Sequence, residues 1–216
     1  MLIPQRFLVR IQGAGQTKIL KNMKDNLTEI VFILDKSGSM ASMGSEPIEG
    51  YNNVIKEQSN PSLGEAKVTL VLFNDSVEFV YENVDIKNVK PLTREDYYPN
   101  GCTSLLDAIG YTFNQVGKRL ANTPENERPS KVVVFILTDG QENSSREFDK
   151  KKISEMIKEQ TEKYSWVVDF MGTTQEAIND AQSYGIKLTS TYHNSQAGLK
   201  SCFTGSSVRM ASYRVS

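Results

Sequence analysis

Residues 28–34, Thr-Glu-Ile-Val-Phe-Ile-Leu, run directly into Asp35-Lys36-Ser37-Gly38-Ser39, and the reading of this stretch decides the fold. A run of branched and aromatic residues with no polar alternation suits a strand covered on both faces, as in a parallel sheet between two helix layers. Outward from it, residues 67–73 (KVTLVLF) and 131–138 (KVVVFILT) repeat the pattern, and 165–171 (SWVVDFM) is a weaker version. Residues 77–81 alternate less cleanly. The Asn74-Asp75-Ser76 turn before them predicts a strand antiparallel to 67–73.

The intervening stretches read as helices. Pro47 opens 47–58, a position where its fixed φ is favourable. Residues 104–120 place Leu105, Ile109, Phe113 and Val116 at helical spacing despite Gly110 and Gly117. Residues 149–163 set Ile153, Met156 and Ile157 against a face charged with both signs, which reads as solvated. A last helix over 174–184 is ended by Gly185. Strand–helix alternation of this kind predicts an α/β, Rossmann-like, doubly wound fold: a mostly parallel central sheet with one antiparallel edge strand and helices on both faces. The expected organisation is an N-terminal extension over 1–25, flexible by composition, a domain over 26–202 and a C-terminal tail over 203–216. The tail, FTGSSVRMASYRVS, is small, polar and acid-free, and is expected to fray. Met23 is expected as the natural start, with residues 1–22 an upstream extension or a loose arm.

Composition narrows the chemistry. In 216 residues, 25 Lys plus Arg stand against 26 Asp plus Glu, so the basic excess of a protein that binds nucleic acid mainly by counterion release is lacking. One His and two Cys, Cys102 and Cys202, cannot supply the paired ligands of a structural zinc site or a disulfide scaffold. Any bound metal should be a hard cation held by oxygen. No run approaches the ~20 apolar residues of a membrane span, and a cytoplasmic protein is expected.

In an open α/β sheet, ligands gather at the carboxyl ends of the strands. Three segments reach that edge with oxygen-bearing residues: Asp35, Ser37 and Ser39 after the first strand, Thr103 before the 104–120 helix, and Asp139 after 131–138. Alternation lets an extended turn aim Asp35, Ser37 and Ser39 the same way. Hydroxyls from Ser37, Ser39 and Thr103 suit direct neutral ligation of Mg2+ or Mn2+, with Asp35 and Asp139 holding waters or orienting the hydroxyls. So few direct anionic ligands would leave the ion electropositive and open to a carboxylate from a partner. Singly, each segment reads as a turn or helix cap; together they point to a metal.

These residues, with Ile30 to Met40, the Gly101-Cys102-Thr103-Ser104-Leu105-Leu106-Asp107-Ala108-Ile109 segment and Leu137-Thr138-Asp139-Gly140, resemble the von Willebrand factor type A domain, and more narrowly its small stand-alone bacterial and phage members. The family's metal-ion-dependent adhesion site, a D-x-S-x-S loop with a later Thr and a later Asp, maps onto Asp35, Ser37, Ser39, Thr103 and Asp139. The resemblance spans roughly residues 26–200. It implies a Mg2+ site (or Mn2+ or Ca2+) that engages a carboxylate of a partner protein, with no catalysis, no nucleic acid and no membrane, in a chain expected to be monomeric. Some members instead serve metal-chelating or ATPase-coupled assemblies. Cys102 departs from the usual Gly or Ser and is expected to be a small buried residue.

A metal-dependent, phosphatase-like hydrolase is the rival reading. A haloacid-dehalogenase-type enzyme, however, wants a second Asp where Ser37 stands, and neither G-x-S-x-G nor a phosphate loop occurs. His193 is expected to be a surface or packing residue, and Trp166 a core one.

Overall fold

A computed structural model describes residues 23–140 and 142–215. The strands are β1 (Lys24–Asp35), β2 (Glu65–Phe73), β3 (Val77–Asp85), β4 (Pro129–Leu137), β5 (Val167–Gly172) and β6 (Leu188–Thr191). They form a six-stranded sheet in the order β3-β2-β1-β4-β5-β6. Every pairing is parallel except β2 with β3, where the turn after Phe73 sets Phe73 opposite Val77. The doubly wound sheet with one antiparallel edge strand is as expected, although β3 extends beyond residue 81, to Asp85.

β1 sits at the centre, and its side chains alternate between two cores. Ile30, Phe32 and Leu34 join one with α1 (Glu46–Gln58) and α5 (Gln196–Val215). Val31 and Ile33 join the other with α2 (Leu105–Asn122), α3 (Lys150–Lys163) and α4 (Gln175–Ser183). This double burial is why the strand carries no polar alternation. Trp166 is buried as expected, and His193 is exposed.

Helix α5 corrects one expectation: residues 203–215 are not a frayed tail but its second half. Their buried positions, Phe203, Ser206, Ser207, Met210 and Arg214, continue from Leu199 at helical spacing. Half of that stripe is polar: Ser206 donates to Met171 Sδ in β5 at 2.8 Å, while Ser207 and Arg214 face α1 and the turn after it. Gln58 Nε2 donates to the Ser207 carbonyl at 2.9 Å, and Arg214 donates to the carbonyls of Gln58 at 2.5 Å and Gly64 at 3.0 Å. The Phe203 ring stacks on Phe135 with centroids 5.8 Å apart. Of the expected extension over 1–25, residues 1–22 lie outside the described residues, whereas Lys24 and Asp25 already belong to β1, which corrects that boundary.

Candidate metal centre

The parallel order brings the ends of β1 and β4 side by side, with the loop before α2 across them. β1 ends at Asp35, after which the chain turns into a short 3-10 segment that buries Met40 and Met43. Two backbone bonds stitch the loops: Gly38 N–H donates to the Gly101 carbonyl at 3.0 Å, and Asn100 N–H to the Lys36 carbonyl at 2.9 Å. Gly101 is required there. Its φ is +74°, and a Cβ would come within 2.0 Å of the Asp75 carboxylate. Tyr97 reaches under the loop to donate from its hydroxyl to the Asp35 carbonyl at 2.5 Å.

The five residues named from sequence converge. The Asp35 side chain is buried, and both its oxygens are engaged: Oδ1 by the Ser37 N–H and Oδ2 by the Thr138 hydroxyl, each at 2.6 Å. The Ser37 and Ser39 hydroxyls lie 3.1 Å apart, and Ser39 Oγ donates to Asp139 Oδ1 at 2.6 Å. Gly140 brings in Thr103: a Cβ placed there would lie 3.2 Å from Thr103 Oγ1 and 3.7 Å from Ser39 Oγ. Glycine thus keeps open a cradle that hydroxyls line. Burial, the largest influence, pushes the Asp35 carboxyl up to about 6 against hydrogen bonds from Thr138 and Ser37, and raises Asp139 in the same direction. Both carboxylates are dehydrated and sit among neutral donors.

Thr103 is free of the capping duty its position suggests. Ser104 is the N-cap of α2, and its side chain makes no capping bond. Residues 142–148 cap the helix instead. Glu142 Oε2 accepts from Leu106 N–H at 2.9 Å, Ser145 Oγ from Asp107 N–H at 3.1 Å, and Asp107 in return accepts from the N–H groups of Arg146, Glu147 and Phe148. Asn143 brackets Thr103, accepting its N–H at 2.9 Å and donating to its carbonyl at 3.1 Å. Glu142, Asn143 and Tyr97 went unread in the sequence; the signal that could have found Glu142 and Asn143 is their place in the polar run directly after Gly140. Cys102 corrects an expectation: it is exposed rather than buried, its N–H fixed by Asp75 Oδ1 at 3.0 Å on the outer side of the Gly101 turn.

The donor set fits a small hard cation: neutral hydroxyls at the cradle, carboxylates behind them to orient hydroxyls or hold water, and imidazole or thiolate at none of the five positions. A von Willebrand factor type A domain model matches residues 29–191. No curated protein matches the sequence. Among solved structures, the PilB minor pilin of Streptococcus sanguinis superposes with a TM-score of 0.61 at 15% identity, over 90% of this chain and 63% of the pilin, so the chain spans less than two thirds of that relative. The manganese-loaded TRAP protein of Plasmodium vivax gives 0.54 at 16% identity, over 78% of this chain and 69% of that one. A von Willebrand factor type A protein of Catenulispora acidiphila gives 0.56 at 17%, over 83% and 42%. These likenesses show a common fold, and with the match over most of its length the chain belongs to the von Willebrand factor type A domain family, a family of metal-dependent protein-interaction modules.

Proposed function

We propose that this chain is a divalent-metal-dependent protein-binding module that engages an acidic residue of a partner protein. Ser37, Ser39 and Thr103 would hold Mg2+, with Mn2+ or Ca2+ as substitutes, while Asp35 and Asp139 orient the hydroxyls and carry the balancing charge. The observation that supports this most is the convergence of three hydroxyls and two carboxylates on the open space over Gly140. When bound, the ion supplies an electropositive coordination position that a carboxylate oxygen can fill. Ser39 and Gly38 are exposed, so a coordination position beside them would face solvent. Non-catalytic action as a cytoplasmic monomer completes the reading; among the described residues no helix is long and apolar enough to cross a membrane.

Titration calorimetry tests the site. Wild type should bind Mg2+ or Mn2+, and Asp35→Ala and Asp139→Ala should each weaken binding by more than about 100-fold, beyond the 10–100-fold usual for a lost supporting hydrogen bond. Equal binding by all three proteins would refute the assignment. The partner is tested by retention on immobilised wild type in Mg2+ with release by chelator. A Ser39→Ala column that retains the same protein equally well defeats the metal-bridged mode.

A further inference from the structure

Between α5 and β6 lies an open cleft of about 390 Å³, and none of the five strand-end residues lines it. The guanidinium of Arg209 forms one wall. Its Nε donates to Asp169 Oδ2 at 2.9 Å, and its Nη2 donates to Ser206 Oγ at 2.8 Å and lies 3.8 Å from Met171 Sδ. These contacts fix the plane of the group and leave Nη1 without a partner among the described residues. Ser190 is the register partner of Met171, and residues paired across a parallel ladder face the same side. Ser190 therefore stands about 4.8 Å, one strand spacing, from the residue that Arg209 touches. Its hydroxyl too has no partner among the described residues.

Helix α5 leaves that guanidinium corner uncovered by means of a glycine. Gly198, two turns earlier, is demanded by packing, because a Cβ there would meet the His193 carbonyl at 2.1 Å. At Gly205 a Cβ would meet only Arg209 Nη1, at 3.5 Å. Alanine would serve the helix better, whereas any longer side chain would sit on Nη1. No acid is among the described residues that line the cleft. The nearby Asp169 is 4% exposed, and its charge is met by Nε of the same guanidinium. The exposed His193 also lines the cleft, with Nδ1 3.2 Å from Ser195 Oγ and Nε2 left for a ligand. A guanidinium corner, a hydroxyl and an imidazole, supplied from a helix, a strand and the turn between them, suit a tetrahedral oxyanion that accepts from several directions. The volume is at the lower end of small-molecule pockets. We propose that the β6–α5 cleft binds the phosphate group of a small molecule through Arg209 Nη1, Ser190 Oγ and His193.

His193 is the chain's only histidine, so its ring carbon protons give resonances that report on the cleft without overlap. The full chain is titrated in chelator, at fixed pH and ionic strength, so that no metal presents phosphate at the strand-end site. Inorganic phosphate and glycerol 3-phosphate should each move the His193 resonances saturably. Each should also raise the thermal midpoint by about 3–6 °C at ten times its dissociation constant. Tighter binding of the ester assigns the site to a phosphorylated small molecule, and equal binding assigns it to phosphate itself. Replacing Arg209 would also strip Asp169 of its partner, so the deciding variant is Gly205→Leu, which covers Nη1 and leaves that pair and every donor in place. Gly205→Leu should abolish the response, and Ser190→Ala should weaken binding by about tenfold or more, as for a lost hydrogen bond to a charged group. Cooperative unfolding of both variants without ligand reports that they are folded. No saturable movement in wild type overturns the proposal. So does a response to acetate as large as that to phosphate, or a Gly205→Leu protein that responds as wild type does.

Discussion

Two buried aspartates in neighbouring parts of the sheet are treated in opposite ways. Asp169, in the middle of β5 and 4% exposed, receives Arg209 Nε on Oδ2 at 2.9 Å, so the fold answers its charge with a cation. Asp35, at the end of β1 and 0% exposed, receives only neutral donors, the Ser37 N–H and the Thr138 hydroxyl. Asp139 beside it takes Ser39. Among the described residues no Lys or Arg pairs with Asp35 or Asp139, whereas Asp169 and Glu29 are met by Arg209 and Arg119. Burial raises Asp35, Asp139 and Asp169 alike, but for Asp169 the hydrogen bond and charge of Arg209 oppose it. At the β5–α5 contact the charge is paired within the chain through Asp169 Oδ2, with Oδ1 buried and unpartnered. The strand-end site keeps a negative charge that the chain leaves unneutralised, which is the state a cation site needs.

The contrast breaks first at Arg209. Arg209→Leu would leave Asp169 buried and unpaired; removing one partner of a buried pair costs about 3–5 kcal/mol. The Arg209 side chain is 37% exposed, so a loss of about 2–3 kcal/mol is expected, a fall in the thermal midpoint of roughly 4–12 °C for a chain of this size. An unchanged midpoint would mean that the pair does not close the charge. The matching change at the other site should have the opposite sign. In chelator, Asp35→Asn removes a dehydrated charge whose shift from 3.8 to about 6 is worth at most about 3 kcal/mol. The new amide N–H2 faces donors, although Thr138 can turn its hydroxyl to the Gly140 carbonyl at 3.2 Å. A net gain of about 1 kcal/mol is expected once that mismatch is subtracted, together with loss of metal binding. A destabilised Asp35→Asn would show that its charge is already answered inside the fold.

The pH dependence of the chelated protein follows from the same three groups. A carboxyl raised in the folded state binds its proton more tightly there than in the unfolded chain, so stability falls as pH rises from the unfolded value, 3.8, through the folded one, about 6 for Asp35. Asp139 and Asp169 shift in the same direction and reinforce it. The midpoint should therefore be higher near pH 5 than near pH 7 in chelator, by up to a few degrees. Saturating Mg2+ should remove or reverse the trend, because the ion favours the ionised carboxylates. Calorimetric scans at both pH values, with and without metal, decide it; a chelated protein more stable at pH 7 contradicts the strand-end part of the comparison.

Legibility divided along the same line. β1, β2 and β4 were readable because a strand covered on both faces must be apolar throughout, and the candidate site residues could be picked out because Asp35, Ser37, Ser39 and Asp139 follow two of those strands while Thr103 precedes α2. Helix α5 was hidden because its buried stripe carries Ser206, Ser207 and Arg214 where aliphatic residues would have shown the period, and their partners, Met171, Gln58, Glu57 and the Gly64 carbonyl, lie far off in the chain. Glu142 and Asn143 were hidden because their work is to hold backbone groups of another segment, for which a sequence offers no spacing rule. Cys102 was misjudged for a related reason: its exposure follows from the contact between Gly101 and Asp75, which only the assembled loops create.

The two cysteines sharpen the comparison with the smallest expected effect, since one stands at each region. Cys202 lies on α5, where burial first of all, with Asp169 adding and Arg209 opposing, pushes its thiol up to about 12. Cys102 is exposed beside Thr103, with its thiol raised by the Asp75 hydrogen bond. At pH 8, iodoacetamide should label Cys102 in the folded protein and reach Cys202 only after unfolding, because the thiolate is the reactive form and Cys202 offers almost none. Because the Cys102 position is fixed through its backbone N–H, a bond any residue but proline can make, Cys102→Ser should leave Mg2+ affinity within about threefold of wild type. Labelling of Cys202 in the folded protein would show that the β5–α5 region opens readily. A large loss of affinity in Cys102→Ser would place the thiol in the metal's own surroundings, and the strand-end site would then owe more to its rim than its five oxygen-bearing residues account for.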